Sequence, residues 1–284
     1  MLPTDPWPDT VARARHLDEL GFDHLWTYDH LSWRRYRDRP WHATMPWLTG
    51  VAAATARIRV GTLVSSPNIR HPVMLAKDAM TIDHISNGRL TIGIGAGGPG
   101  FDATVFGGRA PTPAERASRL AEFTELLDLL LREPDTTFIG QWYTAHEARM
   151  IPGCVQRPRI PIALAAEGAK TLAVAARFAD AWIAYGGMSG EARDTHTLAS
   201  RLDDACAAIG RDPASIDRIY IAGDDERACA SVEAFREMSG RAERAGFTDF
   251  VVHHPRPDDP VWDDPVENLA RIAANVTPGL AEPR

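Results

Sequence analysis

Residues 57–97 read RIRVGTLVSSPNIRHPVMLAKDAMTIDHISNGRLTIGIGAG. Two short β-prone runs, IRVGTLV at 58–64 and LTIGIG at 90–95, flank a longer helical pattern over 72–86. Strand, helix and strand in that order make the unit of a parallel sheet, because parallel neighbours need a crossover long enough to hold a helix. The same alternation continues on both sides. Further strands are expected at 22–28, 161–165, 181–185, 218–222 and 249–253, which makes seven with the first two. Helices are expected at 8–20, 45–56, 113–132, 168–178, 190–209, 227–245 and 265–274, which makes eight with 72–86. The clearest is 113–132, where Leu120, Phe123, Leu126, Leu127 and Leu130 recur at helical spacing between Pro113 and Pro134.

A chain of 284 residues fits two domains of roughly 150 residues or one barrel of roughly 250. The unbroken alternation selects α/β architecture: one (β/α)8 TIM barrel over 1–284, with an irregular insertion at about 135–160. Within that insertion FIGQWYTAHEARM is expected to form a small hairpin turning near Gly140. Only MLPTDPW precedes the first helix, so the barrel lacks its first strand. The expectation is an encoded start placed downstream of the true one; the alternative is a barrel open at that point.

Hydrophobic residues make up 44% and charged residues 24%, which excludes a disordered tail, a collagen-like fibre and a disulfide-stapled miniature domain. A net charge of −7 argues against nucleic acid or an anionic membrane as partner and for a small-molecule substrate. Lys77 and Lys170 are the only lysines among 31 basic residues, a bias read as high-GC coding. Cys154, Cys206 and Cys229 are odd in number and far apart, which fits a reducing cytoplasm better than a disulfide framework or a zinc site. No apolar run reaches the roughly 20 residues of a membrane span, and no signal-peptide pattern opens the chain.

Barrel chemistry sits at the C-terminal ends of the strands. The 22–28 strand delivers Asp29 and His30; the imidazole titrates near neutrality and is the candidate acid/base, while Asp29 orients a neighbour or caps a turn. Trp33 and Trp41 can wall a ligand. After the next strand come Leu63, Val64, Ser65 and Ser66, whose hydroxyls can meet a planar ligand's polar edge or make an ordinary turn. The run Gly93–Gly100 (GIGAGGPG) permits close approach of a flat cofactor, or simply tight packing, and is not a dinucleotide fingerprint. Ala165, Ala166, Glu167 and Gly168 lead into a helix whose N-terminus suits a phosphate, with Gly186 and Gly187 completing the cradle. His253 and His254 with Asp29 and His30 make a conceivable but unspecific metal set; no metal is assigned.

The segments LGFDHLWTYDHL at 20–31, the 57–97 stretch with RHP, LAK, DHISNGRL and GIGAG in order, and PIALAAEGAKTLAVAARFADAWIAYG at 161–186 resemble the luciferase-like flavin monooxygenases and their deazaflavin (coenzyme F-420) relatives. The resemblance covers nearly the whole chain. It implies a (β/α)8 barrel binding FMN or deazaflavin at the strand ends, a homodimer, and a separate flavin or deazaflavin reductase as partner. Asp29 and His30 match the pair near the ring system, His30 being the acid/base of deazaflavin relatives. Leu63 and Val64 fall where relatives carry a non-prolyl cis peptide under the ring. Gly95, Ala96 and Gly97 match the segment alongside the ring, and Ala165 to Gly168 the phosphate-side turn. The favoured activity is FMN-dependent monooxygenation of a small organic substrate, with deazaflavin-dependent hydride transfer as the alternative; a metal-dependent barrel hydrolase and a non-catalytic flavin binder are readings of other classes. There are departures. Gly98 stands where deazaflavin-dependent sugar-phosphate dehydrogenases place a glutamate acid, and Trp33 is one residue closer to His30 than the corresponding tryptophan.

Overall fold

The computed structural model describes residues 1–186, 195–256 and 258–276. All seven expected strands form, as β1 (His24–Thr27), β2 (Arg59–Thr62), β3 (Leu90–Gly95), β6 (Ile162–Ala165), β7 (Ala181–Tyr185), β8 (Asp217–Ile221) and β9 (Asp249–Val251). Every neighbouring pair in the order β1-β2-β3-β6-β7-β8-β9 is parallel. The result is a curled parallel sheet ringed by helices, a TIM-barrel-type fold missing part of the barrel. Several strands stop short of their expected C-terminal ends. Tyr28, Leu63, Val64, Ala222, Val252 and His253 fall outside the strands, although the Leu63 and Ala222 N–H groups still donate to Thr27 and Val251 of the neighbouring strands at 2.8 and 2.9 Å.

Helices α1 (Trp7–Glu19), α2 (Thr44–Ala54), α3 (Pro72–Ser86), α4 (Pro113–Arg132), α5 (Ala169–Phe178), α6 (Thr195–Ala207), α7 (Val232–Arg244) and α8 (Glu267–Asn275) follow the predicted order. Helix α4 opens with a complete capping box between Thr112 and Glu115, with Pro113 supplying the missing donor position of the first turn. Helix α3 ends where Asn87 takes a left-handed φ of 54°. Helix α7 begins later than the expected residue 227, because the Ser231 hydroxyl caps it by accepting the Ala234 N–H at 3.1 Å. For α6, expected from residue 190, residues 190–194 lie outside the described residues.

Two apolar layers hold the sheet. The larger packs helices on the outer faces of the strands, with Leu120, Phe123, Leu126, Leu127 and Trp182 fully buried. The smaller fills the interior with Trp26, Leu63, Ala163, Ala181, Ile183, Ile219 and Ile221. All six residues of β3 are buried, as a parallel strand covered on both faces requires. The edges β1 and β9 share no backbone ladder among the described residues. They meet through side chains: His24 Nδ1 is 3.9 Å from Asp249 at one end and the Tyr28 hydroxyl 3.4 Å from His253 at the other. On the β1 edge the Met1 amino group donates to the Trp26 carbonyl at 2.7 Å.

The insertion contains the expected hairpin, β4 (Asp135–Ile139) with β5 (Thr144–Arg149), antiparallel and turning at Gly140. The Glu122 carboxylate of α4 holds the turn by accepting the N–H groups of Gln141, Trp142 and Tyr143 at 2.6–2.9 Å.

Candidate active site at the mouth of the sheet

Three strand ends are tied together by two carboxylates. Asp29 follows β1 and is 1% exposed. It accepts the Ser65 hydroxyl at 2.6 Å and both faces of the Arg70 fork, at 2.8 and 2.6 Å, which joins β1 to the segment after β2. Both Asp29 oxygens are thus engaged by protein donors. Ser65, fully buried, likewise spends its backbone on β3, donating to Gly93 O and accepting from Gly95 N at 2.8 and 2.9 Å.

The second carboxylate is Asp102, in a short 3-10 turn (Phe101–Ala103) of the loop after β3. Its Oδ2 lies 2.5 Å from His30 Nδ1, and its Oδ1 accepts the Leu31 N–H at 3.1 Å. Only 8% of the Asp102 side chain is exposed, against 32% of His30. Trp41 adds a donor to the His30 carbonyl at 2.8 Å. Asp102 escaped the sequence reading, although it is the only acidic residue between Leu90 and Glu115 and sits inside the glycine-rich loop.

The Leu63–Val64 peptide is cis, at the position the resemblance implies. Val64 packs against β3, where a Cβ added at Gly95 would stand 2.8 Å from Val64 Cγ2; the glycine is needed for that close approach. Gly97 has φ of 75°, and a Cβ there would collide with Asn68. Ala96 lies between them at the end of the strand. Past Gly97 the loop opens, and a Cβ at Gly98 meets nothing within 4 Å. Asn68 donates to the Gly98 carbonyl at 3.0 Å, while its own Oδ1 is buried without a donor among the described residues.

At the far side of the mouth, Ala165 ends β6 and the Ala166 carbonyl accepts the Trp182 indole N–H at 2.8 Å. The Glu167 N–H donates to Thr171 at 3.3 Å, and Gly168 caps α5 with no side chain on its first-turn N–H groups. Those N–H groups keep the positive end of the helix open. Gly186 is required by packing, since a Cβ there would fall 1.8 Å from the Tyr220 hydroxyl, and Gly187 lies outside the described residues.

Aromatic side chains line the β1 side. Trp33 packs 4.9 Å from Tyr28 and 6.3 Å from both His30 and Trp41, ring centre to ring centre. His253 stacks on Trp262 at 3.6 Å, and burial pushes its pKa down to about 3. Burial likewise takes His254, whose Nδ1 lies 2.8 Å from the Pro255 carbonyl, down to about 4. Both rings are therefore neutral near pH 7. Tyr28 is held protonated by burial. The conceivable set of Asp29, His30, His253 and His254 does not converge on a point, and among the described residues no group of three or more His, Cys, Asp or Glu is placed to hold a metal. No helix among them is long and apolar enough to cross a membrane.

The family model for luciferase-like monooxygenases matches residues 1–236. An F420-dependent glucose-6-phosphate dehydrogenase of Kineococcus radiotolerans is 31% identical over 269 residues, covering 91% of this chain and 76% of that protein. An F420-dependent hydroxymycolic acid dehydrogenase of Mycobacterium tuberculosis is 29% identical over 284 residues, covering 95% and 73%. Among solved structures, an F420-dependent secondary alcohol dehydrogenase in complex with an F420-acetone adduct superposes with a TM-score of 0.81 at 17% identity, covering 97% and 95% of the two chains. The expected monooxygenase type is corrected by these relatives, which are dehydrogenases named for F420 rather than FMN. With the match spanning most of its length and the parallel sheet to carry it, the chain belongs to the luciferase-like monooxygenase family.

Proposed function

We propose that the chain is a deazaflavin (F420)-dependent dehydrogenase that transfers hydride between the coenzyme and a small-molecule substrate, with His30 handling the proton. The observation that carries this reading is the junction of β1, β2 and β3, where Asp29–Ser65 and His30–Asp102 bring a histidine to the edge of a glycine-rich cleft.

The residues present fit a flat, N–H-bearing ring with a phosphate tail. Asn68 offers a buried, donorless carbonyl oxygen beside Gly97 and Gly98. Gly98 and Gly100 leave open space beside the loop. The uncapped start of α5 suits the phosphate through free N–H groups and the helix dipole. Bound deazaflavin would supply two-electron hydride chemistry, and the chain supplies orientation and proton handling. Leu63, Val64, Gly95 and Ala96 would support the ring, and the Ala165–Gly168 turn the phosphate. Asp29 acts one layer further out, holding Ser65 and Arg70.

Titration of the purified protein with F420 and with FMN, followed by absorbance and fluorescence, tests this. F420 is expected to bind at least about tenfold tighter, a difference of about 1.4 kcal/mol; equal or tighter binding of FMN would overturn the reading. His30→Ala is expected to lower F420-coupled turnover by about 10²–10⁴-fold while F420 binding stays within about threefold. Unchanged turnover would remove His30 from the proton-handling role.

A further inference from the structure

We infer that Asp102 is the positioning residue for His30, fixing the imidazole as its Nδ1–H tautomer and leaving Nε2 as the proton acceptor for a substrate hydroxyl. The inference rests on the dehydrogenase reading above.

Both Asp102 oxygens are committed. Oδ1 accepts the Leu31 N–H at 3.1 Å and Oδ2 lies 2.5 Å from His30 Nδ1. An ionised carboxylate only accepts hydrogen bonds, so the nitrogen facing it must be the donor. In a neutral imidazole the other nitrogen then carries the lone pair. No described residue hydrogen-bonds His30 Nε2, and the His30 side chain is 32% exposed, so that lone pair is available at the mouth. The Leu31 contact gives the arrangement its rigidity. One carboxylate meets the side chain of residue 30 and the backbone of residue 31, so the Leu31 bond keeps Oδ2 facing Nδ1.

The chemistry follows from the tautomer. Bound deazaflavin would supply the two-electron acceptor, and His30 Nε2 would take up the O–H proton that a hydroxyl substrate releases as it is oxidised. The resulting imidazolium is stabilised by the Asp102 carboxylate and returns its proton to water. The opposite tautomer would present an N–H to the substrate and accept nothing. No glutamate acid stands at Gly98, and the histidine–aspartate pair is the proton-handling assembly the loop does provide.

The test reads the tautomer directly. Long-range ¹H–¹⁵N correlation spectra of the full chain labelled with ¹⁵N-histidine, with His30 assigned from the signals lost in His30→Gln, should show Nδ1 protonated in the wild type near neutral pH. In Asp102→Asn the amide oxygen keeps the Leu31 N–H and the amide nitrogen faces Nδ1, so His30 should change to the Nε2–H form. Asp102→Glu should restore the Nδ1–H form. With a panel of primary and secondary alcohols, kcat in Asp102→Asn should fall by about 10²–10⁴-fold with KM within about threefold, as expected when a base is left in the wrong tautomer. An Nε2–H form in the wild type, or the same tautomer in wild type and Asp102→Asn, overturns the proposal. Should Asp102→Asn fail to fold, the wild-type and Asp102→Glu spectra still decide it. Failure of F420 to bind a protein with the expected tautomer would remove the dehydrogenase reading and leave the Asp102–His30 assignment standing.

Discussion

The two ends of the sheet use arginine in opposite ways. At the end where the strands begin, buried and half-buried guanidinium forks donate to backbone carbonyls. Arg159, with 3% of its side chain exposed, bonds Asp128 at 2.5 Å, Asp180, and the carbonyls of Ile160 and Phe178 at 2.9 and 2.8 Å. Arg89 reaches the carbonyls of Ala52, Thr55, Ile58 and Ser86. Arg211 does the same for Ala176 and Ala179. Most of these acceptors belong to the last turns of helices, where carbonyls lack intrahelical donors and a cation is favoured. At the mouth Arg70 forks onto Asp29, but three further guanidinium groups lie on rings: Arg34 over Trp33 at 4.9 Å, Arg37 over Phe101 at 5.0 Å and Arg39 over Tyr36 at 5.8 Å. The carbonyl-bound forks tie helix ends to the sheet, whereas the ring-stacked ones lie over the aromatic wall of the mouth.

Removing the most enclosed fork should have the largest effect. Arg159→Met leaves Asp128 with Arg132 alone and takes the guanidinium from Asp180 and two carbonyls, and should cost about 3–5 kcal/mol in urea-induced unfolding. A loss below about 1 kcal/mol would dissolve the contrast. Acid should come next and act at the mouth. His253 and His254 are pushed by burial to about 3 and about 4, below the ordinary 6.5, so the unfolded chain takes up protons that the folded chain refuses. Stability should therefore be lost as pH falls from about 6.5 towards 3, and His253→Phe, which keeps the stack on Trp262, should flatten that slope. Arg34→Ala is expected to change stability by no more than about 1 kcal/mol, because its side chain is 60% exposed on the Trp33 face and 3.8 Å from Asp224. Gly98→Glu should be smallest of all, within about 0.5 kcal/mol, since nothing stands within 4 Å of the new Cβ. A large loss there would show that the loop is packed rather than open.

Much of this architecture is written in local periodicity. The strands and helices of 57–97 follow from runs of alternate type, and Gly140 marks the hairpin turn because its neighbours are β-prone on both sides. The glycines of β3 were legible as a place of close approach, yet the residue approached, Val64, lies 31 positions away from Gly95 and no local signal pairs them. The same distance hid the role of Asp102. A carboxylate in a glycine-rich loop reads as solvated until folding brings it to a histidine 72 residues earlier in the chain. Asp29 shows the converse. It was visible beside His30, but only the folded chain shows Ser65 and Arg70 occupying its oxygens. The excess of arginine, read as a mark of coding, gains a physical use at the carbonyl-rich end, where five N–H donors per side chain satisfy acceptors that a lysine's three could not reach together.

The seam between β1 and β9 bears on how the chain folds. Every ladder in the sheet joins strands that follow one another in sequence, apart from the intervening β4–β5 hairpin, so each pairing needs a loop of modest length. The contacts of His24 with Asp249, Tyr28 with His253 and Tyr36 with Asp259 span more than two hundred residues, and these are side-chain contacts. Assembly can thus proceed by successive local steps as the polypeptide lengthens, with the costly long-range closure deferred to the end. Exchange of amide hydrogens should accordingly be fastest at the two edge strands and slowest in β3 and β6, the pair at the middle of the ladder.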